Sequence, residues 1–176
     1  TVAYSYIGPK LTYPIYYDGT IGQAKRHLTK TAEKINEKYS DIRAYISVNK
    51  ALVTQASAAI PIVPLYFAIL YKVMKVQGTH EGCIEQISRL FHEKLFVEKP
   101  ITDEQGRIRM DDWELSDEVQ DKVMECWKNV TTENVAELSD IDGYWQDFYQ
   151  MFGFHLDGVD YAKDVDLEVA IPSLEK

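Results

Sequence analysis

The sequence contains only two cysteines, Cys83 and Cys126, too few for a disulfide framework, so they read as free thiols of a reducing compartment. No arginine-rich or signal-like leader precedes Tyr4, and the expected location is cytoplasmic. Long apolar runs are missing as well. The longest, Ala56 to Tyr71, contains Pro61 and Pro64 and is followed by Lys72 and Lys75. It falls short of the roughly 20 residues that a membrane-spanning helix needs, so a buried or lid helix is expected and no span. The nine glycines offer no Gly-x-Gly-x-x-Gly spacing and no P-loop, which removes the usual backbone cradle for a dinucleotide pyrophosphate. His27, His92, His155 and Cys126 fall at no recognised zinc spacing, and His80 with Cys83 makes no site alone. There is no Gly-x-Ser-x-Gly elbow, no internal repeat and no low-complexity tract.

What is present is one globular domain of ordinary size: 176 residues, 45% hydrophobic and 27% charged. The net charge of −9 is unevenly spread, with 13 Lys and Arg against 8 Asp and Glu in residues 1–99, and 6 against 20 in residues 100–176. The acidic half would repel a nucleic acid, while the basic half can meet small phosphate-bearing ligands.

Gly8-Pro9 and Pro14 forbid a continuous helix over the first 17 residues, so a short strand followed by a shaped loop is expected there. Thr20 is the expected N-cap of a helix carrying Ile21, Ala24, Leu28, Ala32 and Ile35 at helical spacing up to about Tyr39. The alternation from Ile42 to Val48 predicts a strand. A helix feeding a strand is half of a βαβ unit. Further helices are predicted from about Pro61 to Gln77, from Glu81 to Phe96 behind a Thr79 cap, from Asp111 or Asp112 through Trp113, Leu115, Val119, Val123 and Trp127, and from Gly143 to Phe152. Residues 99–109 read as a loop or hairpin, and Gly158 to Tyr161 as a short strand. The run Asp111-Asp112-x-Glu114 suits a helix start better than a magnesium cluster.

Tyrosine is the informative residue, with 12 in the chain and five at positions 4, 6, 13, 16 and 17. A phenol can protonate an enolate at neutral pH when a neighbouring ammonium stabilises its phenolate form. Three Tyr–Lys spacings suit such chemistry. Tyr71 and Lys75 have the Tyr-x3-Lys spacing of short-chain dehydrogenases, Tyr6 and Lys10 have it across a non-helical Gly8-Pro9, and Tyr16 and Lys25 are nine apart. The last pair joins a loop to the second turn of a capped helix.

The runs Tyr4-Ser-Tyr-Ile-Gly-Pro9, Tyr16-Tyr-Asp-Gly-Thr-Ile-Gly-Gln-Ala-Lys25, Ser47-Val-Asn-Lys-Ala-Leu-Val-Thr-Gln-Ala-Ser57, Lys72-Val-Met-Lys, Gly78-Thr-His-Glu-Gly-Cys-Ile-Glu-Gln86 and Gly106-Arg-Ile-Arg-Met-Asp-Asp-Trp-Glu114 resemble the trans-2-enoyl-CoA reductases and the class V bacterial enoyl-ACP reductases, from about Thr1 to Tyr161. The resemblance implies an NADH-dependent reduction of the trans-2,3 double bond of enoyl-CoA or enoyl-ACP thioesters in fatty acid synthesis. It implies Tyr16 as proton donor, Lys25 as the residue that holds the cofactor and biases the phenol, Tyr6 as a substrate contact, and Leu52, Val53 and Thr54 as the nicotinamide-side loop. Tyr6 and Tyr16 would together be donors to the enolate oxygen. Leu52 to Thr54 also follow directly on a predicted strand, where open α/β sheets bind ligands.

The implied fold is α/β and mostly helical, the carboxyl-terminal part of a Rossmann-type reductase whose apolar helix forms a substrate lid. Family members are longer, so residues 1–176 would be the catalytic and substrate-binding portion of one domain, with the amino-terminal dinucleotide cradle missing. Its partners would be the thioester and that amino-terminal half, with no nucleic acid and no membrane span, in an intact protein expected to be monomeric. Lys72, Lys75 and Arg89 could meet the phosphates of CoA or an acidic carrier protein. Two alternatives stand beside this: a carbonyl reductase using Tyr71 and Lys75, and a non-catalytic helical binding module.

Overall fold

A computed structural model describes residues 1–166, 168 and 170. Three short parallel strands, β1 (Val2–Ser5), β2 (Tyr45–Val48) and β3 (Arg107–Arg109), lie in the order β1-β2-β3. Val2 pairs with Tyr45 and Ser5 with Val48, and Ile46 to Val48 pair with Arg107 to Arg109. Helix α1 (Thr20–Lys38) forms the crossover between β1 and β2. From β2 to β3 the chain passes through α2 (Gln55–Ala58), α3 (Val63–Gln77) and α4 (Cys83–Arg89), which runs on into a wider π-helical stretch at Leu90–Leu95. Helices α5 (Asp117–Asn129), α6 (Val135–Leu138) and α7 (Ile141–Gln150) follow. This is the helix-dominated α/β chain that the sequence predicts.

Several boundaries differ from expectation, each for a local reason. The strand begins at Tyr45 and not at Ile42 because the Asn36 side chain takes both polar groups of Ala44, donating to its carbonyl and accepting its N–H at 2.8 Å each. Gly19, not Thr20, is the N-cap of α1. Helix α3 starts at Val63, not Pro61, because Ile62 adopts a left-handed conformation with φ of 61°, which breaks the chain from helical geometry. Gly82 replaces Thr79 as the cap before α4, since Glu81 turns inward to bind Arg89 through two bonds of 2.6 and 2.8 Å. Helix α5 opens at Ser116, whose hydroxyl accepts the Val119 N–H at 3.4 Å. The expected caps Asp111 and Asp112 are committed to Arg109 and to Arg89 and Lys94. Gly158 to Tyr161 form an irregular loop and no strand, because the Tyr161 hydroxyl pins that loop, accepting the Leu156 N–H at 2.9 Å and donating to the Gly153 carbonyl at 2.8 Å.

Helix α3 is the core. Tyr66, Ala68, Ile69, Leu70, Tyr71 and Met74 are fully buried in it, packed against Val119 and Val123 of α5 and Tyr144 of α7. From Val63 to Tyr71 the helix is apolar on every side and has to be enclosed, while Lys72, Lys75 and Val76 beyond are exposed. Helix α1 covers one face of the sheet through Ala32, Leu28 and Ile35 against Ala44, Ile46 and Val48. Leu90, Leu95, Ile108 and Met110 form a smaller cluster with Val2 and Tyr45.

Two features make this packing testable. Gly22 lets α1 lie directly on the preceding loop: its N–H donates to the Tyr16 carbonyl at 3.1 Å, and a Cβ would fall on the Tyr17 carbonyl group. Helix propensity favours Ala over Gly by about 1 kcal/mol, but the clash is with backbone and should win. Gly22→Ala is expected to destabilise the fold by roughly 1–3 kcal/mol, read as a lower thermal midpoint. Lys50 is fully buried, its ammonium donating to the Ala51 and Glu81 carbonyls at 2.9 and 3.1 Å. Burial pushes its pKa down to about 8, against the attraction of Glu114 and Glu81. Below pH 8 both folded and unfolded Lys50 are charged. Between pH 8 and the free-lysine pKa of about 10.4 the unfolded chain binds the extra proton, so stability rises with pH across that window. Wild type should therefore gain stability relative to Lys50→Met between pH 8 and 10 in chemical denaturation, and a constant difference would contradict the assignment.

Candidate active site

The strand ends and the loop after β1 enclose a cavity of about 370 Å³. Ser5 ends β1, Asn49 follows β2, and the cavity lies against both, at the carboxyl edge of the sheet. Tyr6, Tyr16, Lys25, Leu52 and Thr54, all picked out from the sequence, line it together. Val53 does not: it is buried in the core cluster of α3 and lines a separate cavity with Gly82, Cys83 and Asp147. Leu52 lines both. Adjacent residues of an extended segment point to opposite sides, so a run of three cannot all face one ligand.

Each side chain is set by its local fold. Tyr16 is held by a turn in which its N–H donates to the Thr12 carbonyl at 2.9 Å, and its ring meets Tyr6 edge to face, centroids 5.1 Å apart. Partial burial pushes the Tyr16 phenol up, which keeps it protonated. Lys25, in the second turn of α1, donates to the Tyr4 carbonyl at 3.1 Å. It shares the cavity with Tyr16 without bonding to it. Thr54 caps α2, its hydroxyl accepting the Ser57 N–H at 3.0 Å while the Ser57 hydroxyl accepts the Thr54 N–H at 2.9 Å. Ile60, Val63 and Phe67 supply an apolar wall, so the apolar helix is both core and cavity lining.

Behind the wall stands a residue read from sequence only as part of an acidic helix start. Glu114 is fully buried. Its Oε1 accepts the Tyr6 and Tyr66 hydroxyls at 2.9 and 2.7 Å, and its Oε2 accepts the Ala51 N–H at 2.6 Å. Burial pushes its carboxyl above the usual range, opposed by the Ala51 N–H, the Tyr66 hydroxyl and the Lys50 charge. Burial, with Glu114 behind it, likewise raises Tyr6. Ser5, Asn49, Lys50, Ala51 and Ser57 also line the cavity. All five lie within the runs that carry the family resemblance, though none of them is singled out there.

The alternative Tyr71–Lys75 pair lies elsewhere. Tyr71 is fully buried in α3 with its hydroxyl accepting the Val53 N–H at 3.2 Å, and Lys75 is paired with Asp140 at 2.5 Å. Arg89 is not free to meet a phosphate either. Besides Glu81 it binds Asp112 at 2.9 Å and the Met110 carbonyl at 2.8 Å, and its guanidinium lies 4.0 Å from the centre of the Trp113 ring. Among the described residues no group of three His, Cys, Asp or Glu is placed to hold a metal ion, and no helix is long and apolar enough to cross a membrane.

Comparison with known proteins bears on the same residues. The family model described as "Trans-2-enoyl-CoA reductase catalytic region" matches residues 1–96, and one described as "Enoyl reductase FAD binding domain" matches residues 102–165. A curated relative from Coxiella burnetii, an NADH enoyl-acyl-carrier-protein reductase, is 55% identical over 99% of this chain and 44% of its own length. The trans-2-enoyl-CoA reductase (NADH) of Clostridium perfringens is 59% identical over 95% of this chain and 43% of its own. The crystal structure of Clostridium acetobutulicum trans-2-enoyl-CoA reductase in complex with NADH superposes with a TM-score of 0.89 at 56% identity, over 94% of this chain and 42% of that one. The chain thus spans less than half the length of these relatives. Since the catalytic-region match covers the βαβ unit, the tyrosine loop and α3, where the cavity is built, the chain belongs to the trans-2-enoyl-CoA reductase family.

Proposed function

We propose that residues 1–176 are the catalytic and substrate-binding portion of a longer, NADH-dependent reductase that saturates the trans-2,3 double bond of enoyl-CoA or enoyl-ACP thioesters in fatty acid synthesis. One observation carries the proposal: Tyr6, Tyr16, Lys25, Leu52 and Thr54 converge on a single cavity at the carboxyl edge of a parallel sheet. That is where open α/β sheets take their ligands.

The donor set fits the nicotinamide end of the cofactor. Flat aromatic and aliphatic walls from Tyr16, Leu52 and Ile60 suit a planar ring, and Lys25, Asn49 and Thr54 supply polar contacts. The pyrophosphate has no counterpart among the described residues, whose left-handed glycines, 8, 78, 106, 153 and 158, each serve a separate turn. The region outside this chain would hold it. Residues 102–165 do not fit a flavin dinucleotide. Helix α5 begins with Asp117 and Glu118 and α7 with Asp140 and Asp142, acids that repel a diphosphate at the helix ends where one would dock.

NADH, when bound, would supply a hydride to the β-carbon of the enoyl group. The thioester oxygen would take up the charge, and the Tyr16 hydroxyl, which lines the same cavity, would be its donor; such donors are worth about 3–4 kcal/mol each when removed. The proton that completes the α-carbon comes from Tyr16, directly or through solvent. Lys25 fixes the cofactor end and places a positive charge on the same cavity. Ile60, Val63 and Phe67 keep water from the acyl group.

In the intact protein Tyr16→Phe is expected to lower kcat by about a hundredfold or more with NADH affinity nearly unchanged, because the ring remains. Lys25→Met should harm both. NADH oxidation driven by crotonyl-CoA and a fluorescence titration of NADH separate the two effects, and equal mild losses would refute the division of roles. The 176-residue chain by itself should bind NADH only weakly, and supplying the missing half as a separate polypeptide should restore crotonyl-CoA reduction. Micromolar binding to the chain alone, measured by calorimetry, would show that a phosphate cradle lies within it.

A further inference from the structure

The cavity wall at Tyr6 is governed by a side chain that does not reach the cavity. Glu114 receives three donors from three segments: the Tyr6 hydroxyl from the loop after β1, the Ala51 N–H from the loop after β2, and the Tyr66 hydroxyl from α3. Gln120 closes the set, its Nε2 donating to the Tyr66 hydroxyl oxygen at 3.3 Å and to the Glu114 carbonyl at 2.6 Å. Among the described residues no lysine or arginine bonds to this carboxylate. The buried Lys50 ammonium, bonded only to two carbonyls, is the nearby charge that balances it.

A phenol carries one proton. While the Tyr6 proton is given to Glu114, the Tyr6 oxygen has only lone pairs left for a ligand in the cavity. Resting on the assignment of Tyr16 as proton donor, we propose that Glu114 is a positioning residue of this site, which holds the Tyr6 proton away from the cavity and thereby leaves Tyr16, of these two phenols, as the donor to the thioester oxygen. The two tyrosines expected to serve that oxygen together are in this way divided, one as donor and one as acceptor and edge-on support for the other ring, 5.1 Å away at 74°. The Tyr6 ring is held on a second side by Phe67, with centroids 6.3 Å apart, so the hydroxyl oxygen stays beside Glu114 and only the direction of its O–H bond is left for the carboxylate to set.

Glu114→Gln is the decisive substitution. The Ala51 N–H requires the amide oxygen, which turns the amide nitrogen toward both phenols and drives the Tyr6 proton into the cavity, as a neutral carboxylic acid would. In the intact protein this variant is expected to lower kcat about tenfold with the crotonyl-CoA KM within about twofold of wild type, and to add less than about twofold when Tyr6 is already Phe. Multiplicative losses in the double variant, or a wild-type kcat in Glu114→Gln, would overturn the proposal. If Glu114→Gln fails to fold, Tyr66→Phe decides instead. It leaves the Tyr6 bond to Glu114 in place and should keep kcat near wild type, whereas a loss equal to that of Tyr6→Phe would reduce Glu114 to a structural role and refute the positioning. Should the wild-type protein show no crotonyl-CoA reduction, the assignment of function fails separately. The Tyr6 bond to Glu114 is then judged by NMR of protein labelled with ¹³Cζ-tyrosine, where an unchanged Tyr6 signal in Glu114→Gln would overturn it.

Discussion

A carboxylate removed from water has to be given hydrogen-bond donors by the protein, and the cavity is arranged around one that is. Glu114 has no exposure and takes its donors from the loop after β1, the loop after β2 and the first turn of α3. An unpaired carboxylate at this depth would cost several kcal/mol, so none of the three segments can move without exposing that penalty. Those segments are also three walls of the cavity. The same logic fixes the neighbouring layer. Arg89, nearly as buried, spends its guanidinium on Glu81, Asp112 and the Met110 carbonyl, which ties α4 to the chain that follows β3.

Helix α3 adds a second constraint. Its apolar faces demand burial, but two of its largest residues are tyrosines, and a buried phenol needs a partner. Tyr66 finds Glu114 and Tyr71 finds the Val53 N–H. Both bonds agree with the rotation that burial of the apolar residues of the helix already sets. With the rotation fixed, Val63 and Phe67 arrive at the cavity. Packing and site geometry are therefore one problem here: the helix that closes the core also delivers the apolar wall.

Much of this was legible in the sequence. Period-two alternation marks β2, helical spacing marks α1, and the long ordered words around Tyr6, Tyr16, Lys25 and Leu52 mark the cavity. What the sequence hides depends on contacts between distant residues. Nothing local shows that Asn36 would saturate Ala44 and delay the strand, that residues 107–109 would pair with β2, or that Val53 would turn inward between two cavity-facing neighbours. Glu114 is hidden for a further reason. A glutamate beside two aspartates is ordinarily a solvated residue, and only the convergence of Tyr6, Tyr66 and Ala51, up to 108 positions away, makes its burial tolerable.

The charge asymmetry of the sequence also acquires a location. Helix α1 has no acid in its first turn, and Ile21 and Lys25 of its first two turns line the cavity, so the positive end of a 19-residue helix dipole and an ammonium act on the same space. Helices α5 and α7 carry acids in their first turns instead, which cancels their dipoles locally. Negative charge is thus welcome where Tyr16 stands and opposed along residues 102–165. An oxygen that gains charge during a reduction and a phosphate-bearing ligand that presents one would be drawn to the first half of the chain. In the second half Asp117, Glu118, Asp140 and Asp142 stand at helix starts, and Asp103, Asp111 and Asp112 pair with Arg89, Lys94, Arg107 and Arg109, where they hold the scaffold and leave the cavity to the basic face.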